Sequence, residues 1–239
     1  MLRRIFLATV SLLATVSLLS AQTPPGESSP AAAPSAVEPS NKPDVESPNK
    51  PEPMEDPQLG DHWTYEIRDE ITGDVKSTIT TTVTDVSATE ISIRLAVLGK
   101  PDVLFQTFDR SWNATANGAW RFTPNDGSGI RVPLEVGKTW PIKSTDLNST
   151  AGVSLKRSGI SKVTAKESIT TRAGTFDTFK IESSIRTQNA NDPTKKYQAE
   201  QQTSYAPAID HWVKRSFVTR MDGKVRERST VELVEYGRR

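Results

Sequence analysis

From residue 58 onward, apolar and polar positions alternate in short runs. Ile91, Ile93, Leu95 and Val97 alternate with Glu90, Ser92, Arg94 and Ala96, the period of two expected of a strand with one wet face. Ser77 to Val86 is rich in Thr and Val, residues that suit a pleated surface better than a helix. Turn chemistry separates the runs at Thr72-Gly73, Gly99-Lys100-Pro101, Asn125-Asp126-Gly127 and Asn191-Asp192-Pro193. Asp222-Gly223, between Phe217-Val218 and Val225, is the strongest hairpin signal, because such two-residue turns need positive φ. No apolar pattern at helical spacing persists beyond two turns. The pattern predicts strands at 63–69, 75–86, 91–98, 103–108, 119–122, 130–132, 153–166, 179–188, 197–205, 212–219 and 225–235. Short helical turns are expected within 107–117.

Two stretches organise this pattern. Leu59-Gly60-Asp61-His62-Trp63 is echoed, 77 residues later, by Val136-Gly137-Lys138-Thr139-Trp140. Both read apolar-Gly-x-x-Trp, and each leads into a strand-rich half. The reading is an all-β, antiparallel domain at 58–239, built as two related meanders forming a sandwich or a curved half-barrel. A buried indole covers roughly 150–250 Å², so the two Trp residues read as architecture.

The segment before the domain has a different character. Arg3 and Arg4 precede an apolar run from Ile5 to Leu19 that ends at Ser20-Ala21. This is the layout of a secretory signal peptide over 1–21, with a twin-arginine variant of the same route as the alternative. Residues 22–57 are rich in Pro, Ala, Ser and Glu and carry a net charge of −5. So few large apolar groups cannot offset the entropy of ordering, which predicts a disordered, acidic, Pro-rich linker. The formal charge of the whole chain is +1, and the domain after the linker is mildly basic. Nothing in that balance points to nucleic acid, and membrane contact is expected only through the signal segment if it stays uncleaved. The chain has no cysteine, which excludes disulfides, thiolate metal sites, cysteine nucleophiles and lipid attachment at a cysteine.

Further motifs lie in the second half: Ala173-Gly174-Thr175-Phe176 with Lys180-Ile181, then Tyr205-x-Pro207 with Trp212-Val213-Lys214. Together with Gly60-Asp61-x-Trp63-x-Tyr65 they resemble a family of secreted bacterial β-sheet proteins without an assigned function, over most of residues 59–236. The resemblance implies an envelope location and an all-β fold. It carries no catalytic residues.

Candidate chemistry is thin. The two histidines, His62 and His211, each follow an Asp and precede a Trp. Sequence neighbours on a strand point to opposite faces, so neither Asp61 nor Asp210 is expected to orient its own histidine. Asp126-Gly127-Ser128-Gly129 lacks the spacing of a nucleophile elbow. Glu66, Asp69 and Glu70 read as a wet strand face. Asn113-Ala114-Thr115 and Asn148-Ser149-Thr150 match the glycosylation sequon. The basic run from Lys214-Arg215 to Arg239 reads as a solvated face guarding an edge. No residue is assigned as catalytic, cofactor-binding or metal-ligating. Two readings stay open: a periplasmic or envelope binding module that shelters an apolar ligand or meets an envelope protein, and a hydrolase acting on envelope carbohydrate or ester.

Overall fold

The structure, a computed structural model, describes residues 54–238. The expected signal peptide at 1–21, and the linker up to residue 53, lie outside the described residues. Twelve strands follow one another: β1 (His62–Asp69), β2 (Val75–Val86), β3 (Glu90–Val97), β4 (Val103–Asp109), β5 (Ala114–Asn117), β6 (Trp120–Thr123), β7 (Thr139–Asn148), β8 (Val153–Thr171), β9 (Gly174–Asn189), β10 (Lys196–Ala206), β11 (His211–Met221) and β12 (Lys224–Gly237). Each pairs antiparallel with its sequence neighbours, and β12 returns to β1, so the meander closes into a barrel. Closure leaves few unpaired strand edges. The all-β antiparallel expectation holds, with the curvature carried through to full closure.

The two halves, β1–β6 and β7–β12, begin identically. Gly60 and Gly137 have φ of 91° and 96°, a region open to glycine and strained for other residues. The Gly60 N–H donates to Val83 O at 3.0 Å, and the Val83 N–H donates to Asp61 O at 2.8 Å. In the second half Gly137 donates to Val163 O at 2.8 Å, and Val163 donates to Lys138 O at 2.9 Å. A β-bulge then follows each valine, at Thr84 and at Thr164. Trp63 faces Thr81 across β1–β2, and Trp140 faces Ser161 across β7–β8. Both Trp side chains are buried. The echo in the sequence is therefore one turn, one Trp and one bulge, built twice.

Three local expectations need correction. The helical turns expected within 107–117 are instead the end of β4, a tight turn with Trp112 at φ 59°, and β5. The strand expected at 130–132 is loop, with Ile130 driven into the core beside Trp140, Val163, Ile181 and Tyr205. Strand β7 was not anticipated, because Pro141 interrupts it in sequence. In the barrel Pro141 points outward opposite Ile160, and Trp140, Ile142, Ser144 and Asp146 point inward. The Asp222-Gly223 hairpin forms as expected, with φ of 52° and 73°.

The outward positions carry charge around the barrel, including Arg94, Lys143, Lys156, Lys162, Glu200 and Lys214. A membrane-spanning barrel would present an apolar band there.

Candidate functional site

The barrel has two unlike ends. At one, short connections at 70–74, 98–102, 118–119, 149–152, 190–195 and 222–223 join the strands; this is the turn end. At the other, the loop end, the 15-residue connection between β6 and β7 (124–138) packs with the turn 110–113 and the 3₁₀ segment Pro207–Ile209. Asp109 organises these loops. Its carboxylate accepts from the Ser111 and Asn113 N–H groups at 2.9 and 3.0 Å and from Asn125 Nδ2 at 3.0 Å. Gly129 passes so close that a Cβ there would meet Ser111 O at 2.2 Å, which excludes any side chain.

Beneath the loops an aromatic cluster seals the barrel. His211 stacks on Trp63 with ring centroids 4.3 Å apart, and Trp112 meets it edge-on at 4.7 Å. The Tyr65 hydroxyl lies 2.6 Å from His211 Nδ1 and donates to Trp212 O at 3.0 Å. The phenol has one proton, so with it on that carbonyl, His211 Nδ1–H is the donor. Burial holds the His211 pKa well below the usual imidazole value, and Arg215 pushes it the same way. It holds Tyr65 well above the usual phenol value. Asp210, raised by burial, accepts from Trp112 Nε1 at 2.9 Å and from the Tyr205 hydroxyl. A cleft of about 270 Å³ opens outside this seal, lined in part by Asp56, Arg110, Trp112, Tyr205 and Asp210. Arg110 is paired with Asp56 at 2.5 Å.

Inside the wall of the second half lies a buried ion-pair group. Arg157 Nη2 donates to Asp146 Oδ2 at 2.6 Å, and its Nη1 stands 3.8 Å from Asp126 Oδ2. Ser144 donates to Asp146 at 2.6 Å, while Asp126 accepts from Ala114 N, Ser128 N and Ser128 Oγ. Burial raises the Asp126 pKa, and Arg157 and the Ser128 hydrogen bonds oppose it. With both Arg157 η nitrogens set against carboxylates, and only its buried Nε without a partner among the described residues, the group reads as a structural tie between loop 124–138 and the wall.

Toward the turn end, inward-facing positions lose their cover. Ser77, Val97, Tyr197, Ala199, Met221, Glu227 and Val231 are half-buried, and Leu104 is 41% exposed. The cause is strand length: β5 and β6 have only four residues each, so β4 has no neighbour on that side before Gln106. Arg215 sits within this accessible part. A bulge between Ser204 and Tyr205 puts Trp212 and Arg215 on the same inward face, and the guanidinium lies 3.5 Å over the Trp212 ring. Its buried Nε has no hydrogen-bond partner among the described residues.

The residues singled out in sequence are scattered. His62 is half-buried, with Nδ1 3.4 Å from Gly60 O, and His211 lies inside the seal. Neither is hydrogen-bonded to a carboxylate or a serine. Among the described residues no group of three or more His, Asp or Glu is placed to hold a metal ion. Ser128 donates to Asp126 at 2.5 Å with no histidine partner in its hydrogen bonds. Asn113 of the first sequon is buried, its side chain bonded to Asp109 and to the Gly129 N–H. Glu66 pairs with Arg68 and Arg172, and Asp69 with Lys76, on the exposed surface. In the basic C-terminal run, Lys214 points outward beside Glu232 and Arg215 points inward. A strictly alternating reading of β11 misses Arg215 because the bulge shifts the phase by one residue.

No protein-family model matches the chain, and none of the curated proteins does. Solved structures do. A candidate lipoprotein from Parabacteroides distasonis superposes with a TM-score of 0.52 at 14% identity, over 77% of this chain and 99% of that one. A candidate exported protein with a YmcC-like fold from Bacteroides fragilis gives 0.47 at 13%, over 76% and 97%. The hypothetical lipoprotein YmcC from Escherichia coli gives 0.44 at 8%, over 74% and 85%. The chain shares the fold of the Parabacteroides protein across nearly all of that chain.

Proposed function

We propose that this protein is an exported binding module of the bacterial cell envelope, without catalytic activity, that receives its ligand through the turn end of the barrel. The observation that carries this reading is the contrast between the two ends. The loop end is closed by Trp63, Trp112, His211 and Ile209, while at the turn end the inward-facing Ser77, Val97, Tyr197, Met221 and Val231 are only half-buried, as is Arg215, with Phe217, Thr219 and Ser229 covered between them. An interior packed throughout would have no such gradient.

Export and envelope location are supported by the sequence of residues 1–21 and by the lipoprotein description of the Parabacteroides protein that shares the fold. Residues 22–53 act in this reading as an acidic spacer that holds the barrel away from a surface, while Met54 and Asp56 already belong to the barrel. The inward face near Arg215 carries Ile67, Phe217 and Val231 beside the uncharged Thr203, Gln201 and Ser229, so the sheltered part of the ligand is uncharged and in part apolar. The ester-hydrolase form of the alternative loses its support, because neither histidine has the carboxylate and serine partners that it requires.

Native mass spectrometry of the barrel purified from an envelope fraction tests the proposal. A discrete small-molecule adduct is expected on the wild type and not on Ala199→Trp, which fills the open end. An unliganded wild type, or an adduct that survives Ala199→Trp, would move the function to the outer surface of the barrel.

A further inference from the structure

A guanidinium carries five N–H donors and stays charged in proteins. Buried donors without acceptors are costly, and charged ones more so. Arg157 meets that cost with two counter-charges, Asp146 and Asp126, although its Nε is likewise buried without a partner among the described residues. Arg215 does not. Among the described residues no hydrogen bond or ion pair reaches it, and its Nε is buried. What fixes it is the Trp212 ring 3.5 Å beneath. The neighbouring titratable groups offer it no acceptor. Tyr65 spends its proton on Trp212 O and its oxygen on His211. Asp126 acts on Arg215 only through its field, since its oxygens serve Ala114, Ser128 and Arg157. Burial pushes the Arg215 pKa down to about 10, which leaves it cationic at neutral pH. Nearer the open end, Asp69 is paired with Lys76 at 2.9 Å, and Glu227 accepts from Ser229 at 3.4 Å.

The same layer of the lumen is otherwise uncharged and of mixed polarity: Thr203 on β10 faces Arg215, and Gln201 and Ser229 face Phe217. Val231 and Ile67 continue the layer across β12 and β1, and Phe217 lies one inward position toward the turn end. Six residues separate Arg215 from the end of β11 at Met221, about 20 Å of strand. A fixed cation without a counter-charge, with the apolar Val231, Ile67 and Phe217 beside it, fits one chemistry: an acidic headgroup with an acyl or alkyl chain behind it.

We propose that Arg215 binds the anionic headgroup, carboxylate or phosphate, of an amphiphile whose chain runs toward the turn end. This rests on the reading of the barrel as a binding module. Trp212 is its positioning residue: by stacking, it holds the fork with its N–H groups aimed into the channel.

Equilibrium dialysis below the micellar range, with laurate, dodecyl phosphate and uncharged glycerol monolaurate as probes, tests the proposal. The wild type is expected to bind at least one anionic probe on the order of ten- to a hundredfold more tightly than the uncharged one, from charge-assisted hydrogen bonds. The stronger of the two distinguishes a fatty-acid from a phospholipid-type headgroup. Arg215→Gln should remove that preference while its thermal midpoint stays close to wild type, since no hydrogen bond or ion pair is lost and a planar amide can still stack on Trp212. Arg215→Lys, which keeps the charge and loses the fork, should retain part of the preference and covers the case in which Arg215→Gln fails to fold. Binding of all three probes with equal affinity, blocked by Ala199→Trp, would overturn the headgroup assignment and leave the binding module standing. Binding of none would overturn both.

Discussion

The two halves of the barrel share their beginnings and differ in almost everything after. Each opens with a positive-φ glycine, a buried Trp and a bulged Val-Thr pair. Beyond that, Tyr65 and Ile67 of β1 correspond to Ile142 and Ser144 of β7, and Ile79 and Ser77 of β2 to Gly159 and Arg157 of β8. The first half ends in a hairpin of two four-residue strands, the second in strands of 11 and 14 residues. Where the halves agree, they solve a common problem of closure and anchoring. Where they differ, the second half carries Arg157 with Asp146, and Arg215 with Trp212, while the shortness of the first half opens the lumen. Common architecture and candidate chemistry are therefore separable by comparing the protein with itself.

The largest effect should come from the charge found only in the second half. Asp146→Ala leaves the buried Arg157 with only the longer contact to Asp126. It should cost about 3–5 kcal/mol in urea unfolding. The paired replacement Asp146→Leu with Arg157→Met, which makes the second-half wall apolar, should recover most of that loss. If the double variant is as unstable as the single one, the ion pair is doing more than balancing itself, and the halves differ in more than interior polarity.

The shared anchors should behave alike. Trp63 and Trp140 are both buried, and among the described residues neither indole N–H has a partner. Substitution by Phe removes volume without breaking a hydrogen bond, so Trp63→Phe and Trp140→Phe should each cost about 1–3 kcal/mol. Denaturation midpoints that separate the two widely would show that the repeated turn does not bear the same load twice.

These outcomes bear on what could be read from the chain alone. The Gly-x-x-Trp repeat was legible because a glycine and a large indole at fixed spacing leave few physical roles open. The strands of the second half were legible by alternation except β7, where Pro141 concealed a perfect inward series of Trp140, Ile142, Ser144 and Asp146. With that strand hidden, Asp146 had no face, and Arg157 had no visible partner. Arg215 was lost for a different reason. It stands in a basic run beside the outward Lys214, and only the bulge at Ser204/Tyr205, a feature of pairing and not of composition, turns it inward.

His211 provides a smaller and pH-dependent contrast. Its folded pKa is depressed by burial, so above the unfolded value of about 6.5 both states are neutral and the barrel keeps its full stability. As pH falls below that value the unfolded chain gains a proton that the folded one refuses. Stability should fall by about 1.4 kcal/mol per pH unit at the steepest. Asp126 and Asp210, raised by burial, tilt the curve the other way, since they contribute stability below the ordinary carboxylate value and lose it as pH rises through their folded values. The difference between wild type and His211→Phe isolates the histidine. Tyr65 keeps the Trp212 carbonyl as a partner in that variant, and Phe retains a ring against Trp63. Urea midpoints of the two proteins should converge on acidification; parallel curves would mean that His211 is not held neutral.

The smallest effect is expected at the other histidine, and its size is what makes it informative. His62 occupies the position of Thr139 in the second copy of the turn, so His62→Thr gives the first half the residue that the second half already uses. Among the described residues its one polar contact is a long 3.4 Å approach to Gly60 O, and the ring also lies against Gly237. On packing grounds the substitution should change stability by no more than about 0.5 kcal/mol. It should leave amphiphile binding unchanged, because His62 lies at the sealed end and Arg215 is reached from the other. A loss of binding in a His62→Thr protein of wild-type stability would break the comparison at its most conservative point. It would place a working residue inside the one motif that the two halves share, and move the ligand to the loop end.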